Sequence, residues 1–220
     1  MSASGDALST TGGNSTPSPE GHALLSSEDA FQNLLLRIAA KAAERPESAS
    51  LIQLFCRATR EFFQVSGVYF WRRYSGDELI AEQADGKLAD RFAGIRLLPQ
   101  QGAVTAEAVR RRRTVIANRQ VLSAVLPVLQ PFEPRSLMAA PLVVFDEVIG
   151  ALTFLHDSEE EFFNDDLAAK ATILAGQLGS LLEATRLGDL REDLRPVDPS
   201  FPMGVPLSTL APTLTKIDDR

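Results

Sequence analysis

Pro134-Arg135-Ser136-Leu137-Met138-Ala139-Ala140-Pro141-Leu142-Val143-Val144, then Phe145-Asp146-Glu147, then Val148-Ile149-Gly150-Ala151-Leu152-Thr153-Phe154-Leu155 is the stretch that decides the fold. Two apolar runs rich in β-branched residues flank a short acidic turn, which is the pattern of a β-hairpin. Leu137 to Phe145 is the longest apolar run of the chain, and it is strand-sized, far below the ~18 residues of a membrane span. Gly150 inside the second run predicts a close approach by a neighbouring backbone.

Outward from this hairpin the other elements fall into order. Just upstream lie a helix over Ala103–Arg112 and a strand over Thr114–Ala117, with a long irregular connection from Asn118 to Pro134. Earlier still, a strand over Val65–Tyr74, a Ser75-Gly76-Asp77 turn and a strand over Leu79–Ala84 make a first hairpin. The segment Asp85–Gln101 reads as loop with a short strand at Ile95–Leu98. Two helices open the folded part: one capped by Ser27, with Leu34, Leu35, Ile38 and Ala42 at helical spacing, and one from Ser48 with Leu51, Leu54, Phe55, Ala58 and Phe62 on one face. Asn164 caps a last helix running to about Asp193, with a stripe of Leu167, Ala171, Leu174, Leu178, Leu181 and Leu182. Strands joined by hairpins predict an antiparallel sheet of about five to six strands with helices on both faces, an α+β fold.

The ends differ in composition. Residues 1–26 are rich in Ser, Gly, Thr and Pro and are expected to be a disordered tail. Residues 196–220 carry Pro196, Pro199, Pro202, Pro206 and Pro212 and are expected to be a Pro-rich tail or linker, leaving a folded unit over 27–195. With 45% hydrophobic and 23% charged residues, the 220-residue chain can bury a full core. A formal net charge of -7 argues against nucleic-acid and anionic-membrane surfaces. One cysteine excludes an intrachain disulfide. With no leader pattern, the expected location is cytoplasmic.

Four segments together resemble the GAF family of sensory domains. The hairpin just quoted is similar to the family's "s-x-l-x-x-P-l…x-v-i-G-x-l". Gln101-Gly102-Ala103-Val104 resembles its "G-i-x-G" helix start, Thr114-Val115-Ile116-Ala117 the strand that follows, and Phe162-Phe163-Asn164-Asp165-Asp166-Leu167 the "F-t-x-x-D-l" entry to the last helix. The resemblance spans about Leu34 to Arg186. It implies a PAS-like fold, a small-ligand or interaction role, and dimerisation through the first and last helices. The ligand and any signalling partner stay unnamed.

Sharper family readings fail on particular residues. The cyclic-nucleotide signature's Asn-Lys falls on His156-Asp157. A pigment-attaching cysteine would have to be Cys56, which reads as a buried helix residue. Reductases of free methionine sulfoxide share the fold, yet they need a second thiol that this chain lacks. No nucleophile elbow, phosphate loop or metal-ligand spacing occurs, so no catalytic residue, cofactor or metal is expected. By the resemblance, Tyr69 and Trp71, on one face of the first strand, point into the ligand cavity, Asp85 meets the ligand, and Val104 and Met138 line its walls. The alternative is that the aromatics fill that cavity and the domain serves as an interaction scaffold. Arg110 to Arg113 end a helix, where cations complement the dipole, or else they dock an acidic partner or phosphorylated ligand.

Overall fold

The structure, a computed structural model, describes residues 19–98, 103–118 and 134–193. Its elements are α1 (Pro19–Ala43), α2 (Ser48–Phe63), β1 (Gly67–Arg73), β2 (Leu79–Gly86), α3 (Ala89–Phe92), β3 (Arg96–Leu97), α4 (Val104–Arg111), β4 (Val115–Asn118), β5 (Ser136–Val144), β6 (Glu147–His156) and α5 (Asp165–Asp193). Six strands form one antiparallel sheet in the order β3-β2-β1-β6-β5-β4. Both expected hairpins are present, β1 with β2 and β5 with β6, and β1 and β6 close the centre.

The chain divides into two compact units, Met1–Thr185 and Arg186–Arg220. In the first, the sheet separates two cores. Val68 and Phe70 of β1, Met138, Ala140 and Leu142 of β5, and Leu152 and Phe154 of β6 face α1, α2 and α5, where Phe31, Ile38, Phe55, Leu174 and Leu178 meet them. Tyr69 and Trp71, Leu137, Ala151 and Leu155 face the other way, toward Phe92 of α3 and Ala106 and Val109 of α4. Strand alternation therefore places helices on both faces. In the second unit, the last turns of α5 expose Leu187 and Leu190.

One expected boundary differs. α1 begins at Pro19 rather than Ser27. Proline suits the first turn of a helix because its missing N–H would be unpaired there in any case. The Ser27 hydroxyl lies instead 3.5 Å from Lys170 Nζ of α5. Asn164 does cap α5, its Oδ1 accepting the Leu167 N–H at 2.9 Å. Gly179 is buried against β5: a β-carbon there would lie 2.8 Å from Val144 Cγ2. Residues 1–18, 99–102, 119–133 and 194–220 lie outside the described residues, and with them most of both expected tails and of the long connection, and Gln101-Gly102 of the expected helix start.

Candidate functional site

The face beneath α4 carries the chemistry that the fold leaves in its interior. Trp71 Nε1 donates to Thr153 Oγ1 at 3.0 Å, and Thr153 Oγ1 lies 2.7 Å from Thr105 Oγ1 in the first turn of α4. All three residues are buried. The chain reaches from β1 across β6 to α4 because Tyr69 pairs with Thr153 in register, which sets Trp71 diagonally beside it. Two hydroxyls own two protons between them, and one proton is used in the Thr105–Thr153 bond. The other has no acceptor among the described residues.

Aromatic rings close the rest of this face. The Phe92 ring sits 4.7 Å from both Tyr69 and Trp71, tilted to the first and edge-on to the second. Tyr69, Trp71 and Phe92 are exposed by only 3, 3 and 4%. The Tyr69 hydroxyl donates to the Lys87 carbonyl at 2.5 Å. Burial, with the nearby Asp157 charge, pushes its phenol well above the usual range. Phe92 was missed by the sequence reading because α3 is one turn long and leaves no period to detect.

The five expected pocket residues do not converge. Tyr69 and Trp71 share the α4 face, and Val104, half-buried at the start of α4, packs against the same core. Met138 is buried across the sheet, among α1, α2 and α5. It pairs with Phe154 in register, whereas Leu137 and Ala139 pair with Leu155 and Thr153 on the Trp71 side. Asp85 also lies across the sheet, opposite Val68 and ion-paired to Arg60 of α2. A register shift between Phe70 and Trp71 reverses the side-chain alternation of β2, so that Leu79 and Ala81 face α4 while Gln83 and Asp85 face α2.

Other singled-out residues have structural partners. Cys56 is fully buried on α2, and burial, with the charge of Asp85, pushes its thiol far above the usual range. His156 is buried and stacks on Phe162 at 3.9 Å, its Nδ1 accepting the Glu159 N–H at 3.1 Å. Among the described residues no group of three or more His, Cys, Asp and Glu side chains is placed to hold a metal. No described helix is long and apolar enough to cross a membrane.

The GAF domain family model matches residues 48–182. The chain belongs to the GAF domain family. No curated protein matches it by sequence. Among solved structures, it is similar to the GAF domain of an Acinetobacter phosphoenolpyruvate-protein phosphotransferase, at 13% identity and a TM-score of 0.61, covering 72% of this chain and 97% of that one. It is similar to the free methionine-R-sulfoxide reductase of Neisseria meningitidis, solved with its substrate, at 22% identity and a TM-score of 0.60, covering 72% and 91%. It is also similar to the GAF-B domain of DevS from Mycobacterium smegmatis, at 17% identity and a TM-score of 0.56, covering 66% and 99%. At these identities the likeness establishes the GAF fold, with its curled antiparallel sheet and flanking helices.

Proposed function

We propose that this GAF domain is a non-catalytic regulatory module that takes a small, hydrogen-bond-accepting ligand on the α4 side of its sheet and signals by altered helix packing in a homodimer. The observation that carries this reading is the buried hydroxyl proton of the Thr105–Thr153 pair, which lacks an acceptor among the described residues. A buried donor left unpaired is costly, and a ligand bringing a carbonyl or hydroxyl oxygen removes that cost. Apolar side chains of β1, β6, α3 and α4 surround this proton, which suits an uncharged ligand group. Phe92 would have to leave its place between Tyr69 and Trp71. α3 is a single turn, held by bonds such as Arg91 N–H to the Leu88 carbonyl and Gly94 N–H to the Ala81 carbonyl.

Exposed apolar side chains on the terminal helices support pairing of two copies. Leu36 of α1 is 68% exposed and Ile173 of α5 52%, and Gly176, one turn beyond Ile173, has no neighbour within 4 Å of where a β-carbon would stand. A non-catalytic role is supported by the single cysteine, which is buried, with a thiol that burial pushes far above its usual range. A thiol-based reductase must expose a thiolate and then resolve the oxidised sulfur. In this reading the module works in the cytoplasm and acts through a signalling protein.

A second reading, an interaction scaffold without ligand, is favoured by the closed packing of Tyr69, Trp71 and Phe92. Native mass spectrometry of the gently purified protein separates the two. A dimer carrying extra mass supports the sensor. A dimer without added mass, whose Trp71 emission no candidate ligand moves, supports the scaffold, and a bare monomer overturns both versions of the dimeric reading.

A further inference from the structure

The segment that carries Phe92 is tied to the domain at its two ends. Ahead of it, the Lys87 N–H donates to the Ser66 carbonyl at 2.9 Å, the Lys87 carbonyl accepts the Tyr69 hydroxyl, and the Lys87 ammonium pairs with Asp157. Behind it, the Gly94 N–H donates to the Ala81 carbonyl at 2.8 Å and the Ala81 N–H to the Ile95 carbonyl at 2.9 Å. Between these anchors the turn bonds to itself, from the Arg91 N–H to the Leu88 carbonyl and from the Ile95 N–H to the Phe92 carbonyl. Phe92 is the one buried residue of 88–94. Its ring is the latch of a short strap.

The backbone at either end of the strap is unusual. Leu88 lies in the left-handed region at φ 61°, which costs free energy for a bulky side chain, and Gly94 takes φ 82° with open space around it. Strain of this kind gathers at ligand clamps, and a few loop positions that absorb a change of φ and ψ are what a hinge needs. Under the strap the Phe92 ring lies tilted on Tyr69 and edge-on to Trp71, both at 4.7 Å. Trp71 in turn heads the hydroxyl chain through Thr153 to Thr105. The notch beside that chain already holds an aromatic ring, and the ring is the protein's own.

We propose that Phe92 is an intramolecular plug: the Leu88–Gly94 strap swings about its two left-handed residues, Phe92 leaves the notch between Tyr69 and Trp71, and the aromatic ring of an uncharged ligand takes its place. The proposal rests on the reading of the α4-side face as a ligand site, and it narrows that reading to ligands with a flat ring beside their hydrogen-bond acceptor. The contacts that the plug gives up are returned by the incoming ring, so the two states differ in which ring fills the notch. The ligand's apparent affinity is then its intrinsic affinity reduced by the fraction of chains whose strap is open.

The test uses the full chain with Trp71, its single tryptophan, as reporter. Toluene probes the notch alone, and benzamide adds a carbonyl oxygen. Titrated by Trp71 emission below the thermal midpoint, wild type is expected to bind both weakly and saturably. Gly94→Ala puts a side chain on left-handed backbone without touching a neighbour, which disfavours the closed strap and is expected to tighten toluene binding about fivefold or more. Phe92→Ala removes the plug and is expected to tighten it at least about tenfold. Gly176→Ala, the same change in open space on α5, is expected to bind like wild type. The proposal is overturned if Gly94→Ala binds toluene no more tightly than wild type, even where Phe92→Ala binds it, since Phe92 would then be core packing alone. It is also overturned if Phe92→Ala gains nothing. The reading beneath it is judged apart: equal binding of benzamide and toluene in every variant sinks the acceptor-bearing ligand and leaves the plug standing.

Discussion

Replacing Thr153 by Val is nearly isosteric and removes a single oxygen, but that oxygen serves two buried groups. It accepts the Trp71 Nε1–H at 3.0 Å and pairs with the Thr105 hydroxyl at 2.7 Å. Thr153 is 7% exposed and Thr105 4%, so water cannot readily replace it. Each orphaned buried group costs roughly 1–3 kcal/mol, and the more apolar Val side chain returns part of that. One proton of the hydroxyl pair is already unpaired in the wild type, so the net change is one group. The expected loss for Thr153→Val is therefore about 1–3 kcal/mol, read as a fall in the urea midpoint by far-ultraviolet circular dichroism with an unchanged slope. The double-mutant cycle with Trp71→Phe sharpens the test. Without an indole N–H to satisfy, losing the Thr153 oxygen strands one group fewer, so the double variant is expected to be about 1–3 kcal/mol more stable than the sum of the single losses. Additivity within about 0.5 kcal/mol would refute the account, since it would mean that the two side chains are not energetically joined.

Three further outcomes follow from other parts of the structure. Gly150→Ala places a methyl group against the Trp71 carbonyl of the neighbouring strand and is expected to cost about 1–3 kcal/mol or more, whereas Gly176→Ala, with open space around it, is expected to gain about 0.5–1 kcal/mol; thermal melts of the two variants should move in opposite directions. The Asp157 carboxyl is held down at about 2 by hydrogen bonds from Lys87 and Ser66. A depressed folded value stabilises the protein above the unfolded value near 3.8 and is lost as pH falls toward 2. Asp157→Asn is therefore expected to lose about 1–2 kcal/mol at pH 7, after allowance for solvent screening at exposed Lys87, and the gap from wild type should close between pH 5 and 2 in urea titrations. Cys56 is expected not to react with an aromatic disulfide reagent at pH 8 until urea unfolds the chain; prompt reaction of the native protein would contradict its burial.

Most of the fold was legible because the strands differ sharply from their surroundings. Val65–Tyr74 and Leu137–Leu155 concentrate β-branched and aromatic residues between polar turns, and the observed strands lie within two residues of those bounds. What escaped was whatever periodicity cannot encode. α3 has four residues, too few to show a helical repeat, so the residue that fills the α4-side core, Phe92, lay inside an apparent loop. The site was half legible for a related reason. Alternation along β1 assigns Tyr69 and Trp71 to one face, but only the pairing of β1 with β6 and β6 with β5 tells which face Met138 shares. For Asp85 even alternation along its own strand misleads, because the irregularity opposite Phe70 and Trp71 inverts the pattern halfway. The hydroxyl chain carried no sequence signal at all, since Thr105 and Thr153 are common residues far apart in the chain.

The central pairing of the sheet also has a consequence for how the protein comes to exist. β1 is hydrogen-bonded along its length to β6, Gly67 opposite Leu155 and Arg72 opposite Gly150, so its inner edge waits for a strand made much later. Such distant pairing pays loop-closure entropy before any contact rewards it, which slows folding. On the ribosome, the β1–β2 hairpin and its preceding helices emerge first with Tyr69, Trp71 and one strand edge uncovered. Until β6 arrives, the nascent chain carries a template for pairing with other chains, and a truncation ahead of residue 147 would leave it permanently in that aggregation-prone condition.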